Sequence, residues 1–396
     1  MNIIAAERMN AFQQSIFAEL TQLKKSQLSE GNHVIDLSIG SPDMQPPSFV
    51  RQKLLDSVKN DDAFGYTLTG TKDFYQAVAI YYNRNSSVYV NPENEVLLLM
   101  GSQDGLVHLP MVLCNPGDYI LVPDPGYPAY ITGATMAGAN IYPMPLLVEN
   151  QFLPDLAKIP QEVLNKTKLM ILNFPGNPVP AMATREFFQQ VVAFAKKNQI
   201  VVLHDFAYSE LYFEERPISF LSVEGAKDVG IEMNSLSKSF CMAGSRIAYA
   251  VGNQKIIEWL SQFKTNLDYG VFSPIQEAAC RALTDQSEYL AQNRMIYKQR
   301  RDLLVDGCKQ LGWEIDRPQA SMFIWAKIPD GFTSTHFTKQ LIKKANVVVT
   351  PGIAFGTWGE GYVRIALVQP EDEIVRALDN FDKSGIFSSP YSLRKE

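Results

Sequence analysis

From about residue 95 onward, short and almost wholly apolar runs alternate with longer stretches of helical periodicity, and few folds accommodate that order. Strands are expected at 96–100, 119–122, 169–172, 200–203, 231–233 and 247–251, with helical patterns at 106–113, 185–197 and 256–263 between several of them. Strands without polar alternation need cover on both faces, and the intervening helices supply it. The expected class is therefore α/β, with a mostly parallel sheet between helices. After Pro274 one long helical stretch runs towards Leu311, and strands at 322–326, 347–349 and 362–368 then read as a smaller α+β domain. The N-terminal segment is too short for a domain of its own and is expected to pack with that C-terminal part. The 396 residues thus divide into 1–47, an arm and part of the small domain; 48–293, the large domain; and 294–396, the C-terminal small domain.

One stretch imitates a membrane span. Residues 125–148 carry no charge and are long enough to cross a bilayer. Four prolines and three glycines interrupt them, and in lipid those breaks would strand backbone polar groups. The segment reads instead as a loop, a short buried helix and a strand. The 36 basic and 42 acidic residues are mixed along the chain, which leaves no basic footprint for nucleic acid or anionic lipid. The four cysteines have no paired spacing, which argues against a disulfide framework or a zinc site. The N-terminus lacks the basic and apolar regions of a signal peptide, so a cytoplasmic location is expected.

In parallel sheets, ligands bind where strands end and loops enter the next helix. The chemistry-bearing residues sit there. Lys238, flanked by Ser235, Ser237 and Ser239, follows an apolar strand. Desolvated beside another cation, such a lysine loses its proton readily and forms a Schiff base with an aldehyde; otherwise it is a solvated loop residue. Arg246, eight residues on, offers a fixed charge for a phosphate. Asp205 ends another strand, either capping a helix or holding a heterocycle as its cation, and Tyr208 lies within reach of a phenolate oxygen on such a ring. His204 reads as a satisfied core histidine. The turn Asn173-Phe-Pro-Gly-Asn177-Pro178 is either a plain connection or the source of an amide, from Asn177, for the same oxygen. Gly101-Ser102-Gln103 feeds a helix whose start suits phosphate. Tyr127 sits on a proline-rich loop, placed to stack on a ring or merely to occupy a turn. Arg364 alternates away from Val363 and Ile365, towards solvent or towards a substrate carboxylate. Each stretch alone has its plain alternative. Together they describe one ligand, a phosphorylated hydroxypyridine aldehyde: pyridoxal 5'-phosphate.

At these residues the sequence resembles the class I/II aminotransferases, the fold type I pyridoxal phosphate enzymes. The resemblance runs from Leu37-Ser-Ile-Gly-Ser-Pro-Asp43, through Tyr66-Thr-Leu-Thr-Gly70, Asp205-Phe-Ala-Tyr208 and Ser235-Leu-Ser-Lys238, to Pro351-Gly-Ile-Ala-Phe-Gly356 and Arg364. It implies that Lys238 carries the cofactor and moves the substrate proton, that Asp205 pairs with the pyridine nitrogen, and that Asn177 and Tyr208 bind the ring oxygen. Tyr127 would stack on the ring, and Ser102, Gln103, Ser235 and Arg246 would hold the phosphate. Tyr66 would reach the cofactor of a second subunit, making the active unit a homodimer. Arg364 would bind the α-carboxylate of the amino acid or 2-oxo acid, beside the backbone of Gly40 and the Asn177 amide. The stretches 101–106 and 115–128 most resemble the bacterial branch of diaminopimelate, aspartate and alanine aminotransferases.

Two departures stand out. Asn177-Pro-Val-Pro180 replaces the usual Asn-Pro-Thr-Gly, and Asn266-Leu-Asp-Tyr-Gly-Val-Phe272 lacks the arginine that some dicarboxylate-specific members carry. Ile39, Tyr269, Phe272 and Trp358 are candidates for the side-chain wall. A β-lyase on the same scaffold and a catalytically silent binding protein are the alternatives. A nucleotide-binding dehydrogenase would need Gly-x-Gly-x-x-Gly after a strand, which the chain does not contain.

Overall fold

The computed structural model describes residues 1, 3–12 and 16–387. After a short strand β1 (Ile35–Asp36), seven strands form the main sheet: β2 (Val96–Leu99), β3 (Tyr119–Asp124), β4 (Asn140–Pro145), β5 (Thr167–Leu172), β6 (Val201–Asp205), β7 (Gly230–Ser235) and β8 (Ala248–Gly252). Their order is β2-β8-β7-β6-β5-β3-β4. β4, β3, β5, β6 and β7 run parallel, and β8 runs antiparallel to both its neighbours, β7 and β2. The chain returns from β7 through 236–247, which hold one short α-helix, Leu236–Ser239, and no full crossover helix to turn the strand round.

The apolar runs are buried on both faces. Met170 and Val202 point into a core with Phe188 and Phe220, whereas their neighbours Ile171 and Leu203 point into another with Leu106, Leu109 and Tyr130. This leaves the strand ends as an open place where polar side chains can gather around a ligand. The uncharged stretch at 125–148 contains the helix Pro128–Ala137 and strand β4. Among the described residues no helix is long and apolar enough to cross a membrane.

The remainder holds β9 (Phe323–Lys327), β10 (Val347–Val348), β11 (Thr350–Pro351) and β12 (Tyr362–Ala366). The order β11-β12-β9 forms an antiparallel sheet, whose core includes Phe323, Phe337 and Phe381. The strand expected at 347–349 is present as Val347–Val348, and a second short strand follows it directly. Val347–Val348 pair in parallel with β1, and Thr350–Pro351 pair with β12, so the chain changes sheets at Val349. The long helical stretch after Pro274 is two helices, Ser273–Leu283 and Tyr289–Gln310. Between them the Asp285 carboxylate accepts from the Ser287 backbone N–H at 3.1 Å, and Arg84 donates to the carbonyls of Leu283 and Asp285 at 2.9 Å each. These bonds compete with the helical ladder. The second helix runs unbroken across position 293.

Candidate active site

The ends of β5, β6 and β7, the start of helix Ser102–Leu113 and strand β12 converge on a cavity of about 360 Å³. Gly40, Ser102, Gln103, Tyr127, Asn177, Asp205, Tyr208, Ser235, Lys238, Arg246 and Arg364 all line it. Tyr66 does not. It is 84% exposed, with its ring 4.9 Å from that of Tyr269. Of the candidate wall residues, Ile39 lines the cavity, and Tyr269, Phe272 and Trp358 are absent from its lining.

At one end Asp205 closes β6, not as a helix cap but at the head of a turn. Its carboxylate accepts from the Tyr130 hydroxyl at 2.8 Å and from the Ala207 N–H at 3.3 Å. Burial pushes its pKa up, against those hydrogen bonds. A cationic N–H on a bound ring relieves such a buried charge. Tyr208 is buried next to it with its phenol pushed up by the same desolvation. The Asn173 amide donates to the Asp205 carbonyl at 2.7 Å, and its oxygen accepts the Asn177 N–H at 2.9 Å, so the Asn177 turn is tied to the end of β6. On the other face of β6, His204 is fully buried, 2.8 Å from Glu232 and 3.0 Å from the Phe174 carbonyl.

Lys238 follows β7 in the helix Leu236–Ser239, which the Ser235 hydroxyl caps by accepting from the Ser237 N–H at 3.1 Å. Its ammonium donates to the Gly40 carbonyl at 2.5 Å. Burial, then the nearby charges of Arg364 and Arg246, lower its pKa to about 8. A tenth of such a group is a free amine near neutral pH, as a nucleophile towards an aldehyde requires.

At the other end, Gly101 precedes helix Ser102–Leu113 with φ +83°. A Cβ there would stand 2.2 Å from Arg246 Nη2, so only glycine lets the guanidinium lie across the helix start. Free backbone N–H groups, the helix dipole and Arg246 together suit a phosphate. The Tyr127 hydroxyl donates to Gln103 Oε1 at 3.3 Å.

Arg364 on β12 is buried. One guanidinium nitrogen donates to Asn177 Oδ1 at 2.7 Å, the other to the Ser38 carbonyl at 2.5 Å. The first bond orients the Asn177 amide so that its Nδ2 is the group left to donate to a ligand. The guanidinium lies 4.3 Å from the Phe323 ring centre and 4.8 Å from that of Phe355. Burial lowers its pKa to about 10, its Nε has no hydrogen-bond partner, and no carboxylate forms an ion pair with it among the described residues. A buried cation left without an anion is costly unless the ligand brings one.

Tyr130 and Asn173 escaped the sequence reading as functional residues. Asn173 opens the turn that ends at Pro178, and its register directly after β5 is a usable signal. Tyr130 carried none, because its partner is 75 residues away.

The cavity thus offers an amine of lowered basicity, a buried carboxylate, a phosphate seat and a buried guanidinium, which is the chemistry that binds pyridoxal 5'-phosphate and a carboxylate substrate. The family model for aminotransferase class I and II matches residues 32–381, and the chain belongs to that family. It is accordingly a pyridoxal phosphate-dependent transaminase of fold type I. The LL-diaminopimelate aminotransferase of Halothermothrix orenii is 42% identical over 383 residues, covering 96% of this chain and 98% of that protein. The L-glutamine–4-(methylsulfanyl)-2-oxobutanoate aminotransferase of Bacillus subtilis is 41% identical, covering 94% of each chain. The structure of substrate-bound BacF from B. subtilis superposes with a TM-score of 0.93 at 40% identity, covering 96% of this chain and 98% of that one.

Proposed function

We propose that this cavity is the active site, and that it moves the amino group of an L-amino acid to a 2-oxo acid in two half-reactions, the first product leaving before the second substrate enters. When bound, pyridoxal phosphate supplies an aldehyde that takes up an amine and a ring that withdraws electrons. Lys238 would hold the cofactor through its amine and, when free, would take and give back the substrate Cα proton as general base and acid. Asp205, steadied by Tyr130, keeps the ring nitrogen protonated. Asn177 and Tyr208 donate to the ring oxygen, and Tyr127 stacks on the ring. Ser102, Gln103, Ser235 and Arg246 hold the phosphate. Arg364 receives the α-carboxylate, with the Asn177 amide and the Gly40 backbone beside it. The reading is carried by one observation: Arg364, buried and in no ion pair among the described residues, shares a cavity with Lys238 and Asp205.

In the proposed assembly a homodimer brings Tyr66 to the partner's cofactor phosphate, which accounts for an exposed tyrosine beside exposed Tyr269 and outside the lining of its own cavity. The large cofactor domain spans 48–293, the small domain 294–396 together with 1–47, and the helix Tyr289–Gln310 joins them. Pairing of β1 with β10 supports assigning the N-terminal part to the small domain. A cytoplasmic location completes the proposal.

The test is spectroscopic. Protein loaded with pyridoxal phosphate is mixed with L-glutamine, L-methionine, LL-diaminopimelate, L-aspartate or L-alanine, and the visible absorption band is followed. Loss of the band with a donor and its return with a 2-oxo acid are the expected results. Pyruvate and ammonia formed from a β-substituted amino acid without an acceptor would point to a β-lyase instead.

A further inference from the structure

Behind the phosphate seat lies an ion cluster that the proposed chemistry does not use. Lys264, the last residue of helix Gln254–Lys264, is 4% exposed and donates to both Asp104 Oδ2 and Asp268 Oδ2 at 2.6 Å. Asp104 stands in the first turn of helix Ser102–Leu113, directly after Ser102 and Gln103. Its carboxylate also accepts the Met100 N–H at 2.8 Å and faces His108 Nδ1 at 2.7 Å. A carboxylate there stabilises the helix, but it draws on the same positive field that a bound phosphate needs. Asp268, in turn, accepts the Gly270 N–H at 2.8 Å. The neighbouring Tyr269 carbonyl accepts the Leu68 N–H at 3.1 Å, and the Tyr269 ring meets Tyr66. The Lys264 charge also acts on the phenol of Tyr75.

We propose that Lys264 is a positioning residue for the cofactor phosphate: its ammonium offsets the charge of Asp104 at the helix start and ties that helix to the loop on which Tyr269 supports Tyr66. The inference rests on the function proposed above. Without Lys264, the Asp104 carboxylate, its side chain 7% exposed, and the partly buried Asp268 carboxylate behind the helix start would repel a dianion, and a ligand lacking the phosphate would be spared.

The experiment compares pyridoxal 5'-phosphate with pyridoxal, each titrated at one fixed pH by visible absorption and checked by borohydride trapping. For Lys264→Met the ratio of the two affinities should fall roughly tenfold or more from the wild-type value, with Lys264→Arg closer to wild type and Lys264→Met/Asp104→Asn restored. Asp104→Asn alone should hold or raise the ratio. An unchanged ratio in Lys264→Met overturns the proposal, whether both affinities persist or both fall together as a folding defect requires. So does a lowered ratio in Asp104→Asn. Failure of the wild-type protein to give a band with either ligand would instead overturn the assignment of Lys238.

Discussion

The two ends of the cavity are built differently. At the ring end, Asp205, Tyr208, Asn173 and Arg364 are buried, and Asp205, Asn173 and Arg364 are held by hydrogen bonds from within the same chain. At the phosphate end, Arg246 is exposed, and the aromatic residues nearest in role, Tyr66 and Tyr269, project from the surface of the single chain. Chemistry that must resist water is enclosed by one polypeptide, whereas in the proposed homodimer the anchoring of a charged group would be completed by a second one. Substitutions at the ring end should therefore change turnover, and substitutions at the phosphate end should change cofactor retention.

Lys238→Ala should break the ring end most severely, lowering turnover by roughly 10⁴-fold while the protein keeps part of its cofactor affinity. Steady-state rates and equilibrium dialysis separate the two effects. Asp205→Asn removes the charge that holds a pyridinium, and a loss of roughly 10³-fold in kcat is expected with the fold intact by circular dichroism. The lowered basicity of Lys238 has its own signature in cofactor-free protein. Because its pKa sits near 8, the amine is mostly protonated below that pH and free above it. The rate of pyridoxal phosphate attachment should rise roughly a hundredfold from pH 6 to 9 and then level off. A continued climb towards pH 10.5 would show that burial and the two arginines do not act on it. Tyr130→Phe deletes one hydrogen bond to a buried carboxylate, and roughly a tenfold fall in kcat is expected, with KM almost unchanged.

The smallest effect belongs to the open end. Tyr66→Phe should weaken cofactor binding about fivefold and leave kcat of the loaded enzyme near wild type. A large loss of kcat there would erase the contrast between the two ends.

Much of the site was legible because it is local. Lys238 and Arg246 lie in one segment, Asp205 and Tyr208 in another, and each follows an apolar run whose length marks it as a covered strand. The parallel sheet followed from the same runs. What escaped depends on distant partners. Tyr130 matters only because β6 ends beside helix Pro128–Ala137, and Lys264 only because its helix packs against the start of Ser102–Leu113. Helical periodicity continued through 284–288, where Asp285 and Ser287 redirect their hydrogen bonds to the local backbone and Arg84 takes two carbonyls from across the fold. The change of sheets at Val349 was equally silent, since the residues on both sides of it are buried and no glycine or charge marks the break.

The most direct measurement is covalent. Protein loaded with pyridoxal 5'-phosphate is reduced with borohydride, digested, and mapped by mass spectrometry. The phosphopyridoxyl group should appear on Lys238 and be lost when an amino acid donor is added before reduction. A label on any other lysine, or a label on Lys238 that no amino acid displaces, would contradict the assignment of this cavity as the site of amino-group transfer.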